Sequence, residues 1–118
     1  MSKSIEEYKL FIDDMVSLSE SVVSGWVTGK GFPKVAGNED KNELLEALTE
    51  NQKAVLAEII DTAKASGVHD VLSYLNEQQT SNQLRILKGG RELPTEPFDT
   101  EMNFDFVARS EGDDWPKL

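Results

Sequence analysis

The 118-residue chain contains one histidine, in the stretch "GVHDVLSYLNE", and an aspartate follows it directly. An imidazole next to a carboxylate is the raw material of a general base or a metal site, so His69 and Asp70 are the first residues to weigh for chemistry. Neighbouring residues on a helix project about 100° apart, which is poor geometry for a working imidazole–carboxylate pair. A histidine-based zinc site would need further ligands, and with no cysteine and no second histidine only carboxylates could supply them. The spacing offers a simpler account. Gly67 stands where a left-handed residue closes a helix, and Val68, Val71, Leu72 and Leu75 then recur at i, i+3, i+4 and i+7. On this reading His69 starts a short helix, and Asp70 lies in its first turn, where the backbone dipole favours an acid.

Other chemical motifs are missing. "DTEMNFD" lacks the glycine and terminal glutamate of a calcium-binding EF-hand loop, and "TGKGFPK" lacks the spacing and hydroxyl residue of a phosphate-binding loop. No serine sits in a nucleophile elbow. We therefore expect no metal and no cofactor. An enzyme reading reduces to His69 and Asp70 working with carboxylates from the C-terminal part of the chain, as an acid/base or metal-dependent site.

Charge points elsewhere. Twelve basic residues stand against 22 acidic ones, a net charge of −10, which opposes binding to a phosphate backbone and excludes nucleic acid as the natural partner. From Glu92 to Leu118 there are eight acids and two bases, so this segment carries −6 of the total. Aromatic residues lie among them. Phe98, Asp105, Asp113, Asp114 and Trp115 are accordingly the candidate protein-binding residues, facing a basic partner. The competing account makes the aromatics core and the acids merely solvated.

Apolar periodicity supplies the elements that must position these groups. Tyr8, Phe11, Ile12, Met15, Leu18, Val22 and Trp26 mark a helix over about 4–26. The glycine-rich segment 27–39 follows as a loop, expected to pack through Trp26, Phe32 and Val35. Helices are predicted over about 40–48 and 50–65, separated by the capping box "TENQ", in which Thr49 reaches the N–H of Gln52. The fourth helix covers about 69–78. The period then changes from 3.6 to 2. "QLRILKGGRELP" predicts a hairpin with strands near 84–88 and 91–93 around Gly89-Gly90, and "EMNFDFVARS" predicts a strand over 102–108. The fold class is α+β, a bundle of about four helices followed by a small two- or three-stranded antiparallel sheet, in one domain spanning 1–118.

With "GVHDVLSYLNE", the hairpin "LRILKGGRELPTEPF" and the closing "FDFVARSEGDDWP" identified, residues 40–116 resemble a family of small bacterial proteins of unknown function with a similar helix and a Trp-Pro tail. The resemblance implies a bacterial cytoplasmic setting and transfers no catalytic or binding residue. The acids in "MSKSIEEYKLFIDDM" break up any signal-peptide core, and no apolar run reaches membrane-spanning length, which also favours the cytoplasm. The expected role is that of a small acidic, non-enzymatic accessory or protein-binding module.

Overall fold

The computed structural model describes residues 3–118. Four helices, α1 (Lys3–Leu18), α2 (Val22–Thr28), α3 (Glu39–Ala47) and α4 (Glu50–Ser81), precede a two-stranded antiparallel sheet, β1 (Leu87–Lys88) and β2 (Arg91–Glu92), and a further helix, α5 (Met102–Ser110), follows it. The class is α+β. The chain forms two compact units: the first joins the segment ending at Ser19 to Ser66–Leu118, and the second is Glu20–Ala65.

In the first unit Tyr8, Ile12, Leu72, Leu93, Met102 and Phe106 form the buried core, with Phe11, Met15, Val68, Leu75 and Ile86 among the side chains packed around it. The hairpin follows the predicted turn, with its strands shortened from 84–88 and 91–93 to Leu87–Lys88 and Arg91–Glu92. Gly89 and Gly90 both take positive φ (59° and 77°), the conformation that a two-residue connection requires to match strand twist. Leu87 pairs with Glu92 and Lys88 with Arg91, and the N–H of Leu93 donates to the carbonyl of Ile86 at 2.8 Å, which carries Leu93 into the core.

The second unit has a thinner core, in which Val27 and Leu45 are the buried apolar residues. Its glycine-rich loop is held by specific contacts. Trp26 and Phe32 meet edge to face at 5.5 Å, and Asn42 accepts from the N–H of Phe32 (2.8 Å) while donating to its carbonyl (3.1 Å). Gly31 is obligatory here: φ is +90°, and a Cβ would lie 2.7 Å from Asn42 Oδ1. Val35, expected to pack, is exposed.

Three element assignments differ from the sequence reading. The helix expected over 4–26 is broken after Leu18. Ser19 Oγ donates to the carbonyl of Val16, and Ser21 caps α2 by accepting from the N–H of Val23 at 3.1 Å, so serine hydroxyls satisfy backbone groups that an uninterrupted helix would have paired. The helices expected over 50–65 and 69–78 are one continuous helix, because a glycine inside a helix costs only about 1 kcal/mol, less than the packing of the flanking turns supplies. The left-handed closing residue is Gln83 (φ 58°), after which the N–H of Leu84 returns to the carbonyl of Gln78. The capping box does form as expected: Gln52 N–H donates to Thr49 Oγ1 at 3.1 Å, and Thr49 N–H donates to Gln52 Oε1 at 2.9 Å.

Residues 102–108 form helix α5 rather than a strand. A strand would put Met102, Phe104 and Phe106 on one buried face, yet Met102 and Phe106 are buried while Phe104 is 58% exposed. Met102 and Phe106 are four apart, and over so short a window the spacing fits either period.

Continuity of α4 through Gly67 yields a test. A Cβ at Gly67 meets nothing within 4 Å, so Gly67→Ala should stabilise the protein by about 0.5–1 kcal/mol in thermal or denaturant melts. Gly31→Ala should destabilise it. A loss of stability in Gly67→Ala would place Gly67 at a helix end.

Candidate functional site

The first unit holds most of the candidate residues, and the second holds an apolar cleft.

In the first unit, polar groups converge on Asp105, which lies in the first turn of α5 and is 4% exposed. Tyr8 Oη donates to its Oδ2 and Thr100 Oγ1 to its Oδ1, both at 2.5 Å, so each carboxyl oxygen has a hydroxyl donor. Asn76, also buried, stands alongside. Its Oδ1 accepts from the N–H of Met102 (2.9 Å), one of the unpaired donors at the start of α5, and its Nδ2 donates to Glu96 Oε2 (2.8 Å). Burial, and next the hydrogen bond to Asp105, push the Tyr8 phenol above its usual value of 10.0. The arrangement is a satisfied internal network in which each group has its partner. Asp105 is therefore a structural residue here, away from the surface that a binding role requires.

The aromatic residues of the candidate set close over this network. Phe98 and Trp115 stack with centroids 5.3 Å apart, and both rings also pack against Tyr8, at 6.2 and 6.1 Å. The Arg109 guanidinium lies 4.9 Å above the Trp115 ring, donates twice to Asp13 (2.8 and 3.2 Å) and donates to the carbonyl of Asp113. Trp115 is thus a clamp fastening the tail. Asp113 and Asp114 have exposed side chains.

His69 and Asp70 lie in the interior of α4 rather than at a helix start, so the dipole account of Asp70 does not apply. Their side chains do meet, His69 Nδ1 and Asp70 Oδ1 being 3.2 Å apart, but at the surface, with the aspartate 76% exposed. Among the described residues no group of three or more histidine, aspartate or glutamate side chains is placed to hold a metal ion, so carboxylates do not gather around His69.

The feature that the sequence reading missed is in the second unit. At the corner where Leu48 and Thr49 join α3 to α4, Leu44, Leu48, Val55, Leu56 and Ile59 line an open cleft of about 370 Å³, with Asn51 and Gln52 as its polar lining. Leu44, Val55 and Ile59 are 55%, 48% and 58% exposed. Adjacent apolar pairs were the available signal: in Leu44-Leu45, Val55-Leu56 and Ile59-Ile60 the two side chains diverge by about 100°, so one thin core cannot bury both members. A second hollow, lined by Lys34, Asn38, Glu39, Asn42, Glu43 and Glu46 together with Val35 and Ala36, is open and mixes polar with apolar surface.

Two measurements test these assignments. Trp115→Ala should lower stability by about 1–3 kcal/mol, as expected for a clamp. Tyr8→Phe should cost a similar amount, by leaving one oxygen of Asp105 without its donor. Because folding raises the Tyr8 pKa, its contribution is complete below pH 10 and is lost as the pH rises further, at about 1.4 kcal/mol per pH unit. Alkaline unfolding of Tyr8→Phe should therefore release one proton fewer than wild type, and an unchanged slope would contradict the assignment.

Among the described residues no helix is long and apolar enough to cross a membrane. Comparison with curated proteins and with solved structures finds no match. One family model spans almost the whole sequence, matching residues 1–117, and the chain belongs to that family, DUF6547, a family of unknown function.

Proposed function

We propose that this protein is a non-enzymatic accessory module that binds another protein through the apolar cleft at the α3–α4 corner. The observation that carries this reading is the exposure of Leu44, Val55 and Ile59 beside one another in a cleft whose lining is almost wholly apolar. Clustered apolar side chains on an acidic, highly charged chain cost solvation free energy, and a partner that covers them recovers it. The −10 net charge, including Asp113 and Asp114 at the tail, draws a basic partner at long range. Phe98, Asp105 and Trp115 support this indirectly, by holding the first unit together. A bacterial cytoplasmic setting belongs to the same proposal and rests on the sequence resemblance.

The alternative is a small acid/base or metal-dependent enzyme using His69. Its one supporting observation is the 3.2 Å His69–Asp70 contact, which is exposed and lacks the further carboxylates that such chemistry requires.

Site-specific cross-linking separates the two. A photoreactive residue at position 59 should yield protein adducts in the source cell. Leu44→Asp should abolish them while changing stability by no more than about 1 kcal/mol, since Leu44 is exposed. His69→Asn should leave both adducts and fold intact. Adducts from position 113 with none from position 59 would move the interface to the acidic tail, and loss of a cellular phenotype in a well-folded His69→Asn variant would favour the enzyme.

A further inference from the structure

The cleft has a shape and a charge, and both restrict its occupant. Its walls are two helices. Leu44 and Leu48 lie four apart on and just beyond α3, and Val55 and Ile59 four apart on α4, so each wall offers an apolar stretch of about 6 Å along its axis. The sheet among the described residues, the β1–β2 hairpin, belongs to the other unit, so the cleft offers no strand edge to extend. An extended peptide entering it would bury backbone N–H and C=O groups without partners. A helix satisfies its own backbone and can set two or three side chains, at i, i+3 or i+4, and i+7, into the space between the walls.

Charge decides the sign of the partner. Over residues 39–59, which cover α3 and the start of α4, six acids (Glu39, Asp40, Glu43, Glu46, Glu50, Glu58) stand against two bases, a balance of −4, with Glu39, Glu43 and Glu46 lining the neighbouring hollow beside Lys34. Both bases are engaged within the chain. Lys53 Nζ lies 3.4 Å from Glu50 Oε1, and Lys41 Nζ donates to the carbonyl of Gly37 at 2.9 Å. A second copy docked face to face would bring another −4 toward the helices that wall the cleft, whereas a helix with lysine or arginine beside its apolar stripe would offset their charge.

We infer that the cleft of Leu44, Leu48, Val55, Leu56 and Ile59 receives a short amphipathic α-helix of a partner protein, apolar along one stripe and cationic on its flanks. This inference rests on the cleft being a docking surface and adds the form and sign of what docks.

The test uses the full chain and three labelled synthetic helical peptides that share one leucine/isoleucine stripe, with lysine/arginine, glutamine or glutamate on the flanks, read by fluorescence anisotropy. The cationic peptide should bind about tenfold or more tighter than the glutamine peptide, with an advantage that shrinks as salt is added, and the glutamate peptide should bind weakest. Val55→Asp and Ile59→Asp, both at exposed positions, should remove the binding even though each adds a negative charge, which separates docking in the cleft from general attraction to an acidic protein. The combined variant Asp40→Asn, Glu43→Gln, Glu58→Gln should bring the cationic and glutamine peptides to similar affinity.

Equal binding of all three peptides, lost in Val55→Asp, would overturn the cationic assignment and leave the docking surface standing. Sedimentation showing a wild-type dimer that Val55→Asp dissociates would overturn the inference in favour of a second copy. Cationic binding that survives both aspartate substitutions would overturn it by placing the contact elsewhere. No binding and no self-association would overturn the inference, and the absence of adducts from position 59 would then remove the docking reading as well.

Discussion

Asp105 is held inside the first unit by two hydroxyl donors, Tyr8 and Thr100, and everything else in that unit is arranged so that those donors reach it. A carboxyl group taken out of water without hydrogen bonds is strongly destabilising, so a fold that buries one must first fix its partners in place. Tyr8 comes from α1, Thr100 from the segment before α5, and Asp105 from α5. Asn76 adds α4 by bonding the N–H of Met102 at the start of the same helix. Three segments distant in sequence, α1, α4 and the stretch from Thr100 into α5, are thereby required to meet at one point, which specifies their packing more narrowly than apolar contact would.

The outer contacts follow from that placement. Arg109, one turn beyond Asp105 on α5, faces α1 and forms its two bonds to Asp13, while Lys88 at the hairpin bonds Glu7 at 2.6 Å. Trp115 then lies between the Arg109 guanidinium and the Phe98 ring, and the tail is anchored. By contrast the Arg85–Glu92 pair is paired bidentately but largely exposed, and adds little. The segment from Pro94 to Glu101 adopts positive φ at Glu96 and Asp99, a conformation disfavoured for non-glycine residues, and the Asn76 bond to Glu96 helps hold it there.

The second unit is organised differently. Its glycine-rich loop is secured by Asn42 and by the Trp26–Phe32 contact, its buried apolar core amounts to Val27 and Leu45, and its remaining leucines, valines and isoleucines are shared among partial burial, the cleft and the exposed positions Val22 and Val35. The contrast bears on function. The first unit draws Tyr8, Phe106 and Asp105 into one buried network, whereas the second sets Leu44, Val55 and Ile59 exposed together in one cleft, the feature on which the proposed docking rests.

What the sequence determined alone were the features governed by local physics. The capping box at Thr49 and Gln52, the Gly89-Gly90 turn, the helices on either side of Leu48 and the α+β class all depend on residues a few positions apart, so their signals are complete within a short window. The tertiary structure decided the rest, because the competing terms were local propensity and distant packing. Gly67 weakens a helix but does not end one whose following turns bury Leu72 and support Leu75. "EMNFDFVARS" satisfies both periods, and contacts from distant segments, the Tyr8 bond to Asp105 and the Asn76 bond to the Met102 N–H, select the helix that turns Asp105 inward and Phe104 out. Asp105 read as one more surface acid of its segment because composition cannot distinguish a solvated acid from one bonded to two hydroxyls inside the fold. The cleft was hidden for the converse reason: Leu44 and Ile59 look like core residues until the size of the core they would have to enter is known.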